Sequence, residues 1–455
     1  MTRPLTMQSF IAPAGAPALL PVSHAQGIYI WDSSGRRFID GSSGAVCSTV
    51  GHANPRVMAA AREQLDKVSF AYARAWESTA DTGLVERLAR WSGFGLDSAF
   101  FVSGGSEAVE ASLKFARQVA VSRGQTGRWK VVSRMPSYHG STLGALSVTG
   151  DDVFGGVFRP MMAAHPKIPA PLTYRVPQGH DVDSYGRFCA EALETTILQE
   201  RADTILAFIM EPVGGTATGA LVAPDAYHAM VREICDRHGV LLIYDEVMSC
   251  VGRAGKFLAA QYWPQARPDI VALAKGLGGG YTPLGALLTS AALVDEVRAA
   301  GGFAHGHTYA ANPMSCAIGC AVVDEVIERD LIGNSARMGR VLRESLESLK
   351  ATCPLVGDVR GRGLQLAVEI VADQVSKRPL PPESRGVERL REWCIEHGLV
   401  LLTRRTSGGR FGEWLMIGPP LIVTEPQIEE VVNAFARGLR SFQEELTRAG
   451  LVRLG

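Results

Sequence analysis

Three stretches of the chain are apolar without interruption, residues 205–210 (ILAFIM), 240–244 (VLLIY) and 271–274 (VALA), and each runs straight into a charged residue: Glu211, Asp245 and Lys275. A strand with one face in water alternates polar and apolar side chains. Continuously apolar strands must be covered on both faces, as in a parallel sheet sandwiched between helices. Between the first two stretches Tyr227, Met230, Val231 and Ile234 recur at helical spacing, and Gly239 stands where a helix end favours a left-handed residue. That makes a strand-helix-strand unit. "FFVSGG" followed by "SEAVEASLKFARQVA" repeats the strand-turn-helix pattern, with Val109, Leu113, Ala116 and Ala120 on one helical face. The expected architecture is a doubly wound α/β sheet through the middle of the chain.

At 455 residues the chain exceeds one simple core, so a large domain with a smaller companion is expected. After about residue 325 the pattern changes to a charged helix near 335–350, short strands such as "LQLAVEI" and a further helix near 426–442, an α+β unit. "SKRPLPPESRG" and "RRTSGGRFGE" read as surface loops. Lys+Arg and Asp+Glu both number 46. A net charge of zero draws the protein to neither nucleic acid nor acidic lipid, which leaves a small molecule as partner. None of the eight cysteines forms a CxxC pair, so they are expected reduced and free of metal. Prolines interrupt the apolar start "MTRPLTMQSFIAPAGAPALLPVSHA", and no run reaches membrane-spanning length, so a soluble, cytoplasmic protein is expected.

In an open α/β sheet ligands bind beyond the carboxyl ends of the strands, where Glu211, Asp245 and Lys275 all fall. A polar residue ending one strand is ordinary; three ending fully apolar strands point to a shared site. In "SGGSEAVE", Gly104 and Gly105 let the backbone approach a ligand, and Ser106 opens a helix whose N–H groups favour an anion. The pattern is neither a Walker loop nor GxGxxG. Lys275, among apolar neighbours, would hold a free amine suited to Schiff-base chemistry. Pyridoxal phosphate needs these parts: an amine for its aldehyde, an anion cradle, a carboxylate at its pyridine nitrogen and a flat group on its ring. Tyr138, in "SYHGST", can supply the last.

These residues and their surroundings, "GIYIWDSSGRRFIDGSSG", "GHANP", "SGGSEAVEASLKFAR", "YHGST", "EPVGG", "DEVMSCVGRAG", "AKGLGGGYTPLGA", "HTYAANP" and "GPPLIVTE", resemble the class III pyridoxal-phosphate-dependent aminotransferases of fold type I, in particular the omega-amino acid and amine:pyruvate transaminases. The resemblance implies a large cofactor domain at 61–325 with a mainly parallel, seven-stranded sheet flanked by helices, and a small α+β domain from both chain ends, 1–60 and 326–455. It implies an internal aldimine on Lys275, which also carries the proton, and a salt bridge from Asp245 to the pyridine nitrogen. Tyr138 and Val247 would take the two ring faces, with His139 beside them. Gly105 and Ser106 would hold the phosphate together with Thr308 of the opposite subunit. The implied assembly is a homodimer with shared active sites, or a tetramer built from it. Glu211 would be an acidic gate supported by Glu246.

The aromatic group Phe70, Tyr72 and Trp76 is expected to be core, near the substrate entrance. Val46, Cys47, Tyr72 and Trp76 would shape the pocket. His305 and His307 lack a third ligand, so no metal is expected. Met248 and Cys250 replace a glutamine and a glycine of "DEVQTGFGRTG", and Met416 stands where family members that grip an α-carboxylate commonly carry arginine. The resemblance instead points to a mobile arginine among Arg404, Arg405 and Arg410. The implied reaction is ping-pong transfer of an amino group from an amine or omega-amino acid to an α-keto acid such as pyruvate. A decarboxylase or aminomutase of the same family, or a non-catalytic cofactor-binding homologue, is the alternative.

Overall fold

A computed structural model describes residues 20–452; most of the proline-interrupted start lies outside the described residues. Its centre is a seven-stranded sheet of Ser98–Val102 (β1), Lys130–Met135 (β2), Lys167–Pro169 (β3), Ile205–Met210 (β4), Leu241–Asp245 (β5), Ile270–Leu273 (β6) and Gly285–Thr289 (β7). The order across the sheet is β1-β7-β6-β5-β4-β2-β3. Neighbours from β6 to β3 run parallel, and β7 alone runs against both its partners.

The apolar runs are explained by burial on both faces. Phe208, Met210, Leu242 and Tyr244 pack into one core with the helices Val182–Gln199 and Asp225–His238. Ala207, Ile209, Leu241 and Ile243 pack on the opposite side against the helix Gly105–Ser122. Burial of each large apolar side chain contributes about 1.5–3 kcal/mol. Gly239 ends its helix at φ 61°, ψ 36°, the left-handed conformation expected there.

Two four-stranded sheets flank this body. One joins Val22–Gln26, Tyr29–Asp32 and Arg37–Asp40 to Leu399–Val400, so residues from both ends of the chain share it. The other comprises Val356–Arg362, Gln365–Ile370, Trp414–Ile417 and Leu402–Arg404, covered by the helices Leu331–Thr352 and Glu425–Arg448. No helix among the described residues is long and apolar enough to cross a membrane.

Candidate active site

The strands β4, β5 and β6 are immediate neighbours, so their carboxyl ends lie side by side at roughly 5 Å spacing. Glu211, Asp245 and Lys275 converge for that reason. The segments after β1 and β2 reach the same edge, bringing Ser103–Ser106 and Tyr138–Gly140, and Tyr281–Leu284 arrives there because β7 runs the other way. Together they wall a cavity of about 540 Å³ lined also by Cys47, Val247 and Met248.

Lys275 leaves β6 through Ala274 and takes a left-handed backbone at φ 43°. A non-glycine residue pays about 1–2 kcal/mol for that conformation, and such strain gathers at functional sites. Burial lowers the pKa of its amine, opposed by Cys47, Asp245 and Glu211 nearby. Asp245 ends β5 nearly buried: its Oδ2 lies 2.8 Å from Nδ1 of the buried His139, and its Oδ1 accepts the Val247 amide at 3.0 Å. The carboxylate can only accept, so His139 carries its proton on Nδ1. Glu211 is buried as well. Its Oε1 accepts the Gly215 amide at 2.9 Å, while Oε2 has no hydrogen-bond partner and lies 3.9 Å from the guanidinium of Arg134. Burial raises the Glu211 pKa, with His139 and Arg134 opposing. Arg134 also donates to the Glu211 carbonyl at 2.6 Å.

At the helix Gly105–Ser122 no side chain caps the first turn, so its N–H groups face the cavity region unsatisfied by a capping residue. Ser106 Oγ accepts the Ser141 amide at 3.0 Å and keeps its own proton to donate. A Cβ on Gly105 would come within 2.8 Å of Val247, and one on Gly140 within 2.7 Å of Ser106 Oγ, so both glycines are required for this close fit. The Tyr138 hydroxyl meets Ser141 Oγ at 2.9 Å and its ring borders the cavity.

The side beyond Met248 is apolar. Val46, Ala220, Met248, Ala367, Trp414 and Met416 form a small buried cluster flanked by Leu402 and Phe411. Met416 is therefore enclosed, on the strand Trp414–Ile417, and presents no charge. Val46 holds φ 62°, which is unusual for a β-branched residue and fixes this corner of the wall.

Several expectations need correction. Phe70, Tyr72 and Trp76 are not core: they are 42%, 46% and 69% exposed and line a cleft separate from the cavity. Phe70 packs edge-on against Tyr309, and both rings remain exposed among the described residues. Glu246 turns away from Glu211; its carboxylate accepts from Ser249 Oγ and the amides of Ala259 and Ala260, and burial lifts its pKa to about 7. Alternation along the chain puts these neighbours of Asp245 on opposite sides. Thr308, expected to act in the opposite subunit's site, is exposed and lies outside this subunit's own cavity, in keeping with that expectation rather than against it. His305 contacts both His307 and Lys114, and no three-residue metal-ligating group exists among the described residues.

The three arginines separate clearly. Arg404 lies 4.8 Å over the Tyr138 ring and 5.0 Å over Phe154, and its guanidinium donates to Asp151 at 2.8 Å. Arg405 pairs with Glu413 at 2.9 Å, and Arg410 approaches Asp152 at 3.5 Å from the surface. Asp151, Phe154, Arg134 and Thr216 belong to this neighbourhood and were not anticipated. An arginine near the end of the strand "KVVSRM", just before "PSYHG", was the available signal for Arg134.

With this geometry in view, residues 10–439 match the family model described as aminotransferase class-III. The chain is 34% identical over 440 residues to an uncharacterized aminotransferase, YodT, of Bacillus subtilis, covering 96% of this chain and 99% of the relative. It is 31% identical over 426 residues to the putrescine–pyruvate aminotransferase of Pseudomonas aeruginosa, covering 90% and 88%. Among solved structures it resembles a PLP-bound amine transaminase from an uncultivated Pseudomonas species, with a TM-score of 0.89, 34% identity and coverage of 96% and 99%.

Proposed function

The chain belongs to the class III aminotransferases, pyridoxal-phosphate enzymes of fold type I that act on amines and keto acids, and on that premise we propose that it moves an amino group from an amine or omega-amino acid donor to pyruvate by a ping-pong mechanism. The observation that carries the reading is the meeting, at one sheet edge, of the Lys275 amine, the uncapped helix start at Gly105 and the Asp245–His139 pair. The residues fit the cofactor. The helix start and Ser106 would hold its phosphate, Asp245 its ring nitrogen, and Tyr138 and Val247 its two faces. When bound, pyridoxal phosphate supplies an electron sink for the carbon that bears the amine.

Lys275 removes the proton from the donor's Cα and later returns one to the carbon of the acceptor; burial keeps its amine free to do so. His139 fixes the orientation of the Asp245 carboxylate. The donor leaves as a carbonyl compound before the keto acid enters. The putrescine–pyruvate relative and the amine transaminase support an amine donor and a pyruvate acceptor. Met248 on the cavity wall, backed by the buried Val46 and Met416, favours donors whose substituent is uncharged.

Among the described residues Lys275 is the only lysine or arginine lining the cavity, so the carboxylate of a keto acid draws its cation from beyond that lining. Arg404 is that residue of the three, because it already rests on Tyr138. The exposed Phe70, Tyr72, Trp76 and Tyr309, beside the exposed Thr308, support a homodimer in which Thr308 reaches the neighbouring site. The large cofactor domain is proposed at 61–325, and eight unpaired cysteines support a cytoplasmic location.

A panel of amines tests the reading. Each productive donor should bleach the cofactor's visible absorbance, and pyruvate added afterwards should restore it with release of alanine. Carbon dioxide released in step with donor, or product formed with no acceptor, would replace the reading with a decarboxylase or an aminomutase.

A further inference from the structure

Beyond Glu211 the chain continues as "PVGGTAT", and Val213, Gly215 and Thr216 of that loop line the cavity. Two adjacent glycines offer no side chain to anchor such a wall, so whatever keeps it in place must act on its backbone. Alternate carbonyls of the loop are each held by a distant side chain. Gln365 Nε2 donates to the Gly214 carbonyl at 2.9 Å, the Trp414 indole N–H to that of Thr216 at 2.6 Å, and the Arg360 guanidinium to that of Thr218 at 3.2 Å. The three donors are buried and stand on three adjacent strands of one flanking sheet, Val356–Arg362, Gln365–Ile370 and Trp414–Ile417. Arg360 is itself fixed by Asp358 at 2.9 Å and Glu369 at 2.6 Å, with its guanidinium 5.2 Å over the Trp414 ring.

Between the held carbonyls the Gly215 amide donates to Glu211 Oε1, and a Cβ on Gly215 would come within 3.2 Å of Met248 Sδ. The loop backbone therefore lies directly against two other residues of the cavity wall, and any shift in it moves their surroundings together. We infer that Gln365 and Trp414, with Arg360 beside them, are specificity-determining positioning residues: by holding the carbonyls of Gly214, Thr216 and Thr218 they keep the glycine-rich wall from retreating and set how large an amine donor the cavity admits. This rests on the transaminase reading above. The flanking sheet thereby governs a cavity that, among the described residues, none of its own strands lines.

The test is Gln365→Met in the cofactor-loaded enzyme, which removes the donor at nearly unchanged volume. Gln365 Oε1 has no hydrogen-bond partner, so the substitution removes one unpaired buried oxygen as it leaves the Gly214 carbonyl unpaired, and the melting temperature should stay close to that of the wild type. With pyruvate as acceptor, kcat/KM is measured for cyclohexylamine and for isopropylamine, and hydrogen exchange is followed at the amides of residues 213–218. The expected result is about a tenfold rise in the cyclohexylamine-to-isopropylamine ratio, with kcat for isopropylamine held within about twofold, and about tenfold faster exchange in the loop. Trp414→Phe should do the same. Trp414 pairs with Glu369, four residues along the strand from Gln365, so the two backbone positions stand about 13 Å apart, and independent effects at that range would multiply. Acting through one loop they should not, because releasing one carbonyl already frees the wall: the double variant should gain no more than the larger single effect. An unchanged or lowered ratio in Gln365→Met overturns the proposal, as do unchanged exchange in the loop and a ratio that multiplies in the double variant. Should Gln365→Met fail to fold, Trp414→Phe decides on the same two readings. Failure of the transaminase reading looks different, because the wild type would then show no bleaching with any amine.

Discussion

The two walls of the cavity are built on opposite principles. On the cofactor side every functional group sits at the end of a strand or the start of a helix in the rigid central body: Glu211 after β4, Asp245 ending β5, Lys275 after β6 and Ser106 opening the helix Gly105–Ser122. Each is buried or half-buried, and Asp245 and His139 are tied to each other. On the far side Met248 lines the cavity with Val46 and Met416 packed behind it, while Arg404 ends the strand Leu402–Arg404 over Tyr138 and pairs with Asp151, the cap of a short helix. The first wall cannot adjust without disrupting the sheet; the second can change one ion pair at little structural cost. Fixed chemistry with variable recognition is what the proposed ping-pong transfer between two dissimilar substrates would require.

The largest expected effect falls on the fixed wall. Lys275→Ala should lower turnover by about 10⁴-fold, the upper range for a lost proton-transfer group, and should abolish the yellow absorbance of the bound cofactor. Normal activity in this variant would end the distinction between the walls, since nothing at the sheet edge would then be indispensable.

His139→Phe comes next. It fills the buried space but removes the one side chain that Asp245 contacts, so kcat should drop about 10²-fold while the KM for pyruvate changes little. The split matters. A shift confined to KM would place His139 with the recognition wall.

The fixed wall was also the legible one. Three apolar runs ending in Glu211, Asp245 and Lys275 announce a sheet edge because burial on both faces leaves no other arrangement, and the helix at Ser106 follows from its glycines and its periodicity. Nothing local announces that Asp151 will meet Arg404, 253 residues later in the chain, because that contact depends on how the loop Thr406–Gly409 docks. The exposed Phe70, Tyr72 and Trp76 were misread for a related reason: aromatic content marks burial, and it does not say whether the cover is the same chain. Glu246 was assigned to support Glu211 by the family resemblance alone, whereas its carboxylate accepts the amides of Ala259 and Ala260, away from Glu211.

On the adjustable wall Met416→Ala should cost about 2–3 kcal/mol of stability, since Met416 is enclosed by Trp414, Met248 and Val46, and should extend turnover to amines with one bulkier substituent. Chemical denaturation reads the first effect and the amine panel the second. Lost stability without broadened substrate range would make the cluster scaffold only, and Met248 would then be the boundary of the pocket.

The smallest effect tests which arginine belongs to that wall. Arg410 is largely exposed, stacks on Phe411 and reaches Asp152 only at 3.5 Å, so its pairing contributes well under about 1 kcal/mol. Arg410→Ala should leave the KM for pyruvate within about twofold, whereas Arg404→Ala should raise it about tenfold, because Arg404 alone of the three touches a ring that borders the cavity. Equal responses would mean that the loop carries its arginines as a diffuse positive field. A selective response at Arg404 means that recognition of the carboxylate depends on one guanidinium.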